Sequence, residues 1–209
     1  MAADSELLVQ AELGEAGARV YSWDGPWVSL GRSQTPGRAL RQPALVPFVS
    51  RPTGGKAVLH GHDMTVALAL PLQYLGLDSS SSKSVVAVYR SVVAHLIDAL
   101  RLSGVDARLG EDTNFVGHAG HTSDCFAHVA RNDIVDPQSG QKVCGCALRL
   151  TSLAVLVQAS VPIAPPIVDP STVFDRAAAV TWVKLDPSVF ARHLEALLDR
   201  TASCEHGVT

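Results

Sequence analysis

The sequence predicts an α+β fold in which a mixed, mainly antiparallel sheet is flanked by helices. Strand candidates follow one another through most of the chain, and helices are set between and after them, unlike the regular alternation of a doubly wound sheet. The clearest helix carries an apolar stripe at spacings of three and four residues, formed by Val85, Val88, Val92, Leu96 and Leu100. With 209 residues, 47% of them hydrophobic and 18% charged, the chain fits one globular domain.

The first half of the chain is predicted to be rich in strands. Residues 3–13 have helical spacing and are expected to form a short helix. Two apolar runs, residues 18–23 and 27–30, flank the turn Asp24-Gly25-Pro26, which predicts a hairpin. The proline-rich residues 35–47 are predicted to be loop with a broken helical turn. Further strands are expected at residues 46–49, 57–60 and 65–70.

The second half places its helices between and after the strands. The polar run at residues 78–82 predicts a mobile loop before the clearest helix, which is expected to end at Ser103-Gly104. Strands are predicted at residues 106–109, 125–135, 141–149 and 153–161, and helices at residues 171–182 and 187–200. We therefore expect one domain over residues 1–209, with residues 162–209 as a C-terminal helical extension packed on it.

Charge and composition argue against several classes of partner. A net charge of −3 and a pI near 6.2 give no reason to expect a nucleic acid. The N-terminal residues are acidic where a signal peptide is basic, and no apolar run approaches the roughly 20 residues of a membrane span. The four cysteines do not form the pattern of a secreted disulfide framework. A reduced, cytoplasmic protein that binds no membrane is the expectation.

The most informative stretch is the glycine loop, residues 50–60. Gly54 and Gly55 allow close approach of the backbone to a ligand, and Arg51 and Lys56 place positive charge on either side. A Walker loop would continue into a helix with Lys-Ser/Thr, whereas this loop continues into a predicted strand. The loop therefore suits a carbonyl, carboxylate or phosphate held at a strand edge.

This loop resembles the RRxTGGxAVxH signature of the lipoyl/octanoyl transferase and ligase superfamily, the relatives of biotin protein ligase. Downstream, Asp124-Cys125-Phe126, Asp133-Ile134-Val135 and the block from Gly140 to Ala147 look like the family's CF, Asp-hydrophobic and GxKhxGsA pattern. Together with matching pieces near the N-terminus, the resemblance covers most of residues 1–161. It implies a biotin/lipoate ligase (class II synthetase-like) fold.

The resemblance also implies site residues. Cys125 matches the nucleophile of the octanoyltransferases that work through a cysteine thioester, and Lys142 matches the lysine that contacts the acyl carbonyl. The two residues are 17 positions apart, a separation that suits a hairpin bringing both to one cleft. His60 matches a loop histidine, for which we favour an orienting role over that of a base. The acyl-binding residues implied are Arg51, Thr53, Gly54, Gly55, Lys56, Ala57, His60, Gly145 and Ala147.

The activity implied is transfer of an octanoyl (or lipoyl) group. The donor would be an acyl carrier protein, and the acceptor a lysine of a lipoyl carrier domain, either like the glycine cleavage H protein or of a dehydrogenase E2. The thioester route needs no cofactor. At the third position of the glycine triplet, enzymes of that route typically have arginine and the ATP-dependent ligases usually have glycine, and this chain has the basic residue Lys56. The sequence departs from the family where Gln158-Ala159-Ser160 replaces an HGS-like tripeptide and where Ser50-Arg51 replaces paired arginines.

Three other interpretations stay open. Taken alone, Cys125 beside Phe126 is more typical of an inert core cysteine, and most lysines are solvated. An ATP-dependent lipoate ligase using Mg²⁺ would need Lys142 and the glycine loop but not Cys125. A non-catalytic binder of acylated carriers would need no nucleophile. The side chains available for a metal site are His60, His62, Asp63, His118, His121, His128, Cys144 and Cys146, but their spacings match no compact zinc pattern.

Overall fold

The computed structural model describes residues 1–76, 84–117 and 122–205. The helices are α1 (Ala2–Glu12), α2 (Pro36–Ala39), α3 (Val85–Leu102), α4 (Pro170–Val173) and α5 (Pro187–Glu205). The strands are β1 (Gly17–Tyr21), β2 (Val28–Leu30), β3 (Phe48–Ser50), β4 (Val58–Leu59), β5 (Asp63–Pro71), β6 (Arg108–Leu109), β7 (Ile134–Val135), β8 (Lys142–Leu150) and β9 (Ala154–Pro162). None of the described helices is both long and apolar enough to cross a membrane.

The strands form two sheets. Six of them make an antiparallel sheet in the order β1-β5-β9-β8-β7-β6, and three make a smaller sheet in the order β3-β2-β4. Strands β2 and β3 are parallel, while β2 and β4 are antiparallel. The predicted α+β class, with a mixed and mainly antiparallel sheet, is therefore confirmed.

The two faces of the large sheet have different chemistry, because successive side chains of a strand point to opposite sides. One face is apolar and packs against α3 and α5, as Val157 of β9 and Leu194 of α5 illustrate. On the opposite face of β9 lie Gln158 and Ser160. The register pairs Ser160 with Thr65 and with Gly145, and Gln158 with Ala67 and with Ala147. Small and polar side chains thus form the floor of a cleft between this face and the small sheet.

The predicted hairpin around Asp24-Gly25-Pro26 is wrong. Strand β1 pairs with β5 in the large sheet, whereas β2 pairs with β3 and β4 in the small one. The chain between β1 and β2 crosses from one sheet to the other, anchored by Trp23. Its indole donates to Thr65 Oγ1 at 2.9 Å and stacks on the His60 ring at 4.3 Å.

Two further sequence predictions need correction. Residues 125–135 do not form one strand. Cys125–Ala127 is a 3-10 turn, because the Asp124 side chain accepts from the Phe126 N–H at 2.9 Å, and within this range only Ile134–Val135 pairs as a strand. The helix predicted at residues 171–182 ends at Val173, after which the chain is irregular. The polar run at residues 78–82 lies outside the described residues.

Helix α1 is fastened to the large sheet by one buried carboxylate. Asp4 is fully buried and accepts hydrogen bonds from Arg19, from the Tyr21 hydroxyl at 2.8 Å and from the Gln158 amide at 2.6 Å. Replacing Asp4 therefore removes the acceptor of the buried Gln158 amide and of two partly buried donors, the Tyr21 hydroxyl and the Arg19 guanidinium.

We expect Asp4→Ala to lower the free energy of unfolding by about 3 kcal/mol, because a buried charge partner is removed. Urea denaturation measures the change. The control is Glu6→Ala on the exposed side of the same helix, which should alter stability by no more than about 0.5 kcal/mol. Equal effects of the two substitutions would show that Asp4 does not anchor the helix.

Candidate active site

The cleft between the two sheets encloses about 400 Å³, including its open mouth. Its floor is the polar face of the large sheet, its roof is the glycine loop with the small sheet, and one end is closed by the turn that carries Cys125. The lining residues are Met1, Ser29, Arg51, Gly55, Lys56, Val58, His60, Thr65, Cys125, Gly145, Cys146, Ala147, Gln158, Ala159 and Ser160.

Arg51 organises the glycine loop from inside. Its guanidinium is buried and donates to the carbonyls of Ser29 at 2.8 Å, Gly54 at 2.7 Å and Lys56 at 2.6 Å. It also donates to the hydroxyls of Ser29 at 3.3 Å and Thr53 at 3.2 Å. A guanidinium has five N–H donors, so all the donors of Arg51 are engaged within the protein. The group shapes the loop around the cleft.

The remaining loop residues hold the walls of the cleft in place. Gly55 has φ +87°, a conformation that favours glycine. The hydroxyl of Thr53 donates to Gln158 at 2.7 Å, which ties the loop to the floor. Ala57 forms a parallel bridge with Asp124, and the Ala57 carbonyl accepts from the Cys125 N–H at 2.9 Å. The glycine loop and the Cys125 turn therefore move as one unit.

The structure brings Cys125 and Lys142 together, although they do not belong to one hairpin. Lys142 Nζ lies 3.4 Å from Cys125 Sγ and donates to the Cys125 carbonyl at 2.6 Å. It also forms an ion pair of 2.8 Å with Asp133, and both side chains of this ion pair are buried, while Cys125 is partly exposed. The ammonium thus fixes the Cys125 backbone and faces its sulfur at the same time.

Burial and charge act in opposite directions on this cluster. Burial raises the pKa of the Cys125 thiol, and Asp133 adds to the rise, while Lys142 and Arg51 oppose it. The thiol is therefore predominantly protonated at neutral pH. Burial alone would lower the pKa of the Lys142 ammonium, but Cys125 and Asp133 outweigh burial and leave this pKa raised. Lys142 consequently stays charged beside the sulfur.

Gly145 leaves the space that the Cys125 sulfur occupies. A Cβ atom added there would lie 2.9 Å from Cys125 Sγ and 3.4 Å from the Lys142 side chain. Contacts under 3.0 Å of this kind require a neighbour to shift. The sulfur therefore sits directly over the backbone of β8, and any side chain at position 145 would displace it.

At the opposite side of the cleft, His60 is held by a buried network. Its Nδ1 lies 2.8 Å from Asp63 Oδ2, and its Nε2 lies 2.7 Å from Ser29 Oγ. Ser160 also donates to Asp63, at 2.6 Å. Burial would raise the pKa of Asp63, but His60 and Ser160 outweigh it and leave this pKa lowered. Both ring nitrogens of His60 are thus engaged, as an orienting role requires.

Sequence reasoning missed the carboxylates that complete the site. Asp133 was recognised only as part of a pattern, although its position in a buried apolar segment was a signal that it needs a charged partner. Asp63 was expected only as a possible metal ligand, and Ser29, between two apolar residues of a short strand, carried no signal of its own. Their importance becomes visible only when the two sheets face each other.

Lys56 points along the roof toward the Cys125 turn. Its Nζ lies 3.3 and 3.4 Å from the two ring nitrogens of His128. The pKa of Lys56 is lowered, first by burial and then by Lys142, while Cys125 opposes the change. The pKa of His128 is lowered by burial and by the two lysines. Lys56 therefore adds positive potential at the sulfur end of the cleft.

The metal-site interpretation gains no support from the part of the chain that is described. Within residues 1–76, 84–117 and 122–205, no three His, Cys, Asp or Glu side chains cluster closely enough to hold a metal ion. His118 and His121 lie outside these ranges. Cys144 and Cys146 face the same side of β8, with their sulfurs 3.5 Å apart, and both are buried in the core.

Comparisons with known sequences identify the family of this chain. The family model described as lipoyl protein ligase A/B catalytic domain matches residues 1–185. The octanoyltransferase LipM of Kyrpidia tusciae is 35% identical over 113 residues, 51% of this chain and 40% of that protein. LipM of an Exiguobacterium species is 30% identical over 165 residues, 75% of this chain and 56% of that protein. The chain spans about half the length of these curated relatives.

Solved structures share the fold. Lipoate-protein ligase A bound with ATP matches with a TM-score of 0.70 at 20% identity, covering 96% of this chain and 78% of that one. A chain from the archaeal lipoylation system of Thermoplasma acidophilum, a bi-partite lipoate protein ligase and its E2 lipoyl domain, matches with a TM-score of 0.64 at 18% identity, covering 96% and 79%. At these identities the likeness concerns the fold alone, and it confirms the predicted biotin/lipoate ligase type.

We expect two substitutions beside the sulfur to move the Cys125 pKa in opposite directions. Asp133→Asn removes a negative charge and should lower it, whereas Lys142→Met removes the ammonium and should raise it. The pH dependence of Cys125 alkylation by iodoacetamide, followed by mass spectrometry, gives each midpoint. Shifts of both midpoints in the same direction would contradict this electrostatic account.

The steric constraint at Gly145 has a separate test. Gly145→Ala should push the sulfur away from Lys142 and slow Cys125 alkylation at pH 8 by about tenfold, the effect of one pKa unit. Gly37→Ala is the matched control, because no atom lies within 4 Å of a Cβ at that position. An unchanged rate in Gly145→Ala would mean that the sulfur is not confined over β8.

Proposed function

We propose that this chain, which belongs to the lipoyl protein ligase A/B catalytic domain family, transfers an octanoyl (or lipoyl) group through a thioester on Cys125. The observation that carries the proposal is the cleft-lining sulfur of Cys125, 3.4 Å from a buried and permanently charged ammonium. A thiol in such a position can act as a nucleophile, because the ammonium stabilises the thiolate as it forms.

In the first half-reaction, the Cys125 thiol gives its proton to the solvent, and the thiolate attacks the carbonyl carbon of an acyl thioester. A carbon–sulfur bond forms, the carbonyl oxygen takes the negative charge, and the carrier thiolate then leaves and takes up a proton. The three N–H groups of Lys142 face Asp133, the Cys125 carbonyl and the sulfur. The third becomes free when the sulfur is acylated, and it is positioned to stabilise the oxyanion.

In the second half-reaction, the neutral amine of an acceptor lysine attacks the same carbonyl carbon. The carbon–nitrogen bond forms, the carbon–sulfur bond breaks, and the sulfur leaves as the thiolate that Lys142 stabilises. The proton lost by the amine returns to the thiolate, so the enzyme recovers its resting state. No external energy source is needed, because a thioester is exchanged for a more stable amide.

The donor and acceptor follow from this chemistry and from the relatives. An acyl carrier protein would supply the thioester, and a lipoyl carrier domain, like the glycine cleavage H protein or from a dehydrogenase E2, would supply the lysine. The archaeal lipoate ligase with a similar fold is paired with an E2 lipoyl domain, which supports this acceptor class. A reaction through a free thiol suits the reducing cytoplasm.

An ATP-dependent lipoate ligase with Mg²⁺ is the second candidate, since a protein of the same fold binds ATP. The glycine loop and Lys142 would hold the acyl phosphate, and bound ATP would supply the activation of a free acid. Two observations favour the thioester route over the ligase. The sulfur of Cys125 faces Lys142 directly, and the absence of a side chain at Gly145 leaves room for that sulfur. The ligase needs neither feature.

The test mixes purified protein with octanoyl-carrier protein in the absence of ATP and records the intact mass. We expect an octanoyl adduct that hydroxylamine removes and that Cys125→Ser abolishes. Cys144→Ala is the control. It removes a thiol that packs into the hydrophobic core, so the adduct at Cys125 should still form.

The opposite outcome is equally clear. A protein that forms no adduct, but modifies an acceptor domain only when free lipoate, ATP and Mg²⁺ are supplied, is a ligase and not a thioester transferase. Octanoyl-carrier protein that binds without reaction under either condition would indicate a non-catalytic binder.

A further inference from the structure

The cleft continues from Cys125 along the floor formed by β8 and β9. The sulfur sits over Gly145, which pairs with Ser160. The next pair on the same face of the sheet is Ala147 with Gln158. Two residues along a strand and one step between strands place position 158 roughly 8 Å from position 145. Gln158 therefore lies at the far end of the floor from the nucleophile.

The side chain of Gln158 is buried and held at both ends. Its Oε1 accepts from the Thr53 hydroxyl at 2.7 Å, and its Nε2 donates to Asp4 Oδ2 at 2.6 Å and approaches Met1 Sδ at 3.4 Å. Arg51, Thr53, Gln158 and Asp4 are joined by a series of hydrogen bonds. Its direction is set by its two ends, because the Arg51 guanidinium can only donate and the Asp4 carboxylate can only accept. The amide is locked in one orientation.

The roof comes close to the floor just before this amide. A Cβ atom added at Gly55 would lie 3.3 Å from the Ala147 Cβ, so the glycine loop narrows the cleft above β8, and the absence of a side chain at Gly55 keeps it open. The space beyond the sulfur is a slit to whose apolar walls Val58 and Ala147 contribute. An unbranched alkyl chain suits such a slit, and a polar wall ends it.

We propose that Gln158 is the end wall of the acyl site and sets the longest chain that the enzyme accepts. The proposal rests on the function proposed above and adds a specificity-determining residue to it. An extended octanoyl group is about 9 Å long at carbon–carbon bonds of about 1.5 Å, close to the roughly 8 Å between positions 145 and 158 of the floor. Longer chains would press their terminal methylenes against an amide that Thr53 and Asp4 prevent from moving aside.

The experiment compares hexanoyl, octanoyl, decanoyl and dodecanoyl thioesters of one carrier protein as donors, without ATP, by the rate of adduct formation at Cys125. In the wild-type protein we expect the rate to fall by at least about tenfold between octanoyl and dodecanoyl. Gln158→Ala removes the wall. The longest acyl chain that still reacts at the full rate should then be about two carbons longer than in the wild type.

The matched variant is Gln158→Met, which keeps the length of the side chain and removes both hydrogen bonds. The longest acyl chain that this variant accepts should be the same as in the wild type, because the methionine side chain still fills the end of the slit. If Gln158→Ala does not fold, as thermal unfolding would reveal, Gln158→Ser takes its place and keeps a hydroxyl between Thr53 and Asp4.

The outcomes distinguish a failure of the role of Gln158 from a failure of the proposed transferase activity. Adducts at Cys125 with the same chain-length profile in wild type, Gln158→Ala and Gln158→Ser would overturn the role of Gln158 and leave the transferase intact. A shift of the limit in Gln158→Met equal to that in Gln158→Ala would also overturn it. Absence of an adduct with every chain length, in the folded wild-type protein, would overturn both proposals.

Discussion

One buried ammonium holds the candidate site together. Lys142 has little contact with water, so its charge must be met by the groups around it: the Asp133 carboxylate, the Cys125 carbonyl and the Cys125 sulfur. A buried cation that loses a partner is strongly destabilised, and this requirement holds the Cys125 turn on the edge of the sheet. The same contacts that satisfy the charge also stabilise a thiolate, so structural need and proposed chemistry coincide.

A second buried network shapes the rest of the cleft. Arg51 gathers the carbonyls of the glycine loop, and Thr53 and Gln158 carry the hydrogen bonding across the floor to Asp4 of α1. Partly satisfied networks of this kind are costly, whereas complete ones specify one arrangement. The glycine loop is consequently as firmly placed as the strands beneath it, which the proposed reaction, dependent on position, requires.

Sequence patterns predicted those parts of this structure that depend on local chemistry. The stripe of Val88, Val92 and Leu96 identified α3, and the glycine loop with Lys142 identified the family, because both signals are short-range. The pairing of β1 and β2 was misassigned, since a turn sequence does not reveal that its two strands belong to different sheets. The strand expected at Cys125 was overridden by the capping side chain of Asp124, and the ion pair of Lys142 with Asp133 depends on tertiary contacts alone.

The central claim is that Cys125 is an intermediate carrier of the acyl group, and a chase with isolated acyl-enzyme tests it most directly. The octanoyl adduct is purified away from its donor and mixed with a lipoyl carrier domain, without ATP, while both intact masses are followed. The account predicts that the acceptor gains the octanoyl mass as the enzyme loses it, with the new bond resistant to hydroxylamine. An adduct that persists, or that yields free octanoate while the acceptor stays unmodified, would contradict it.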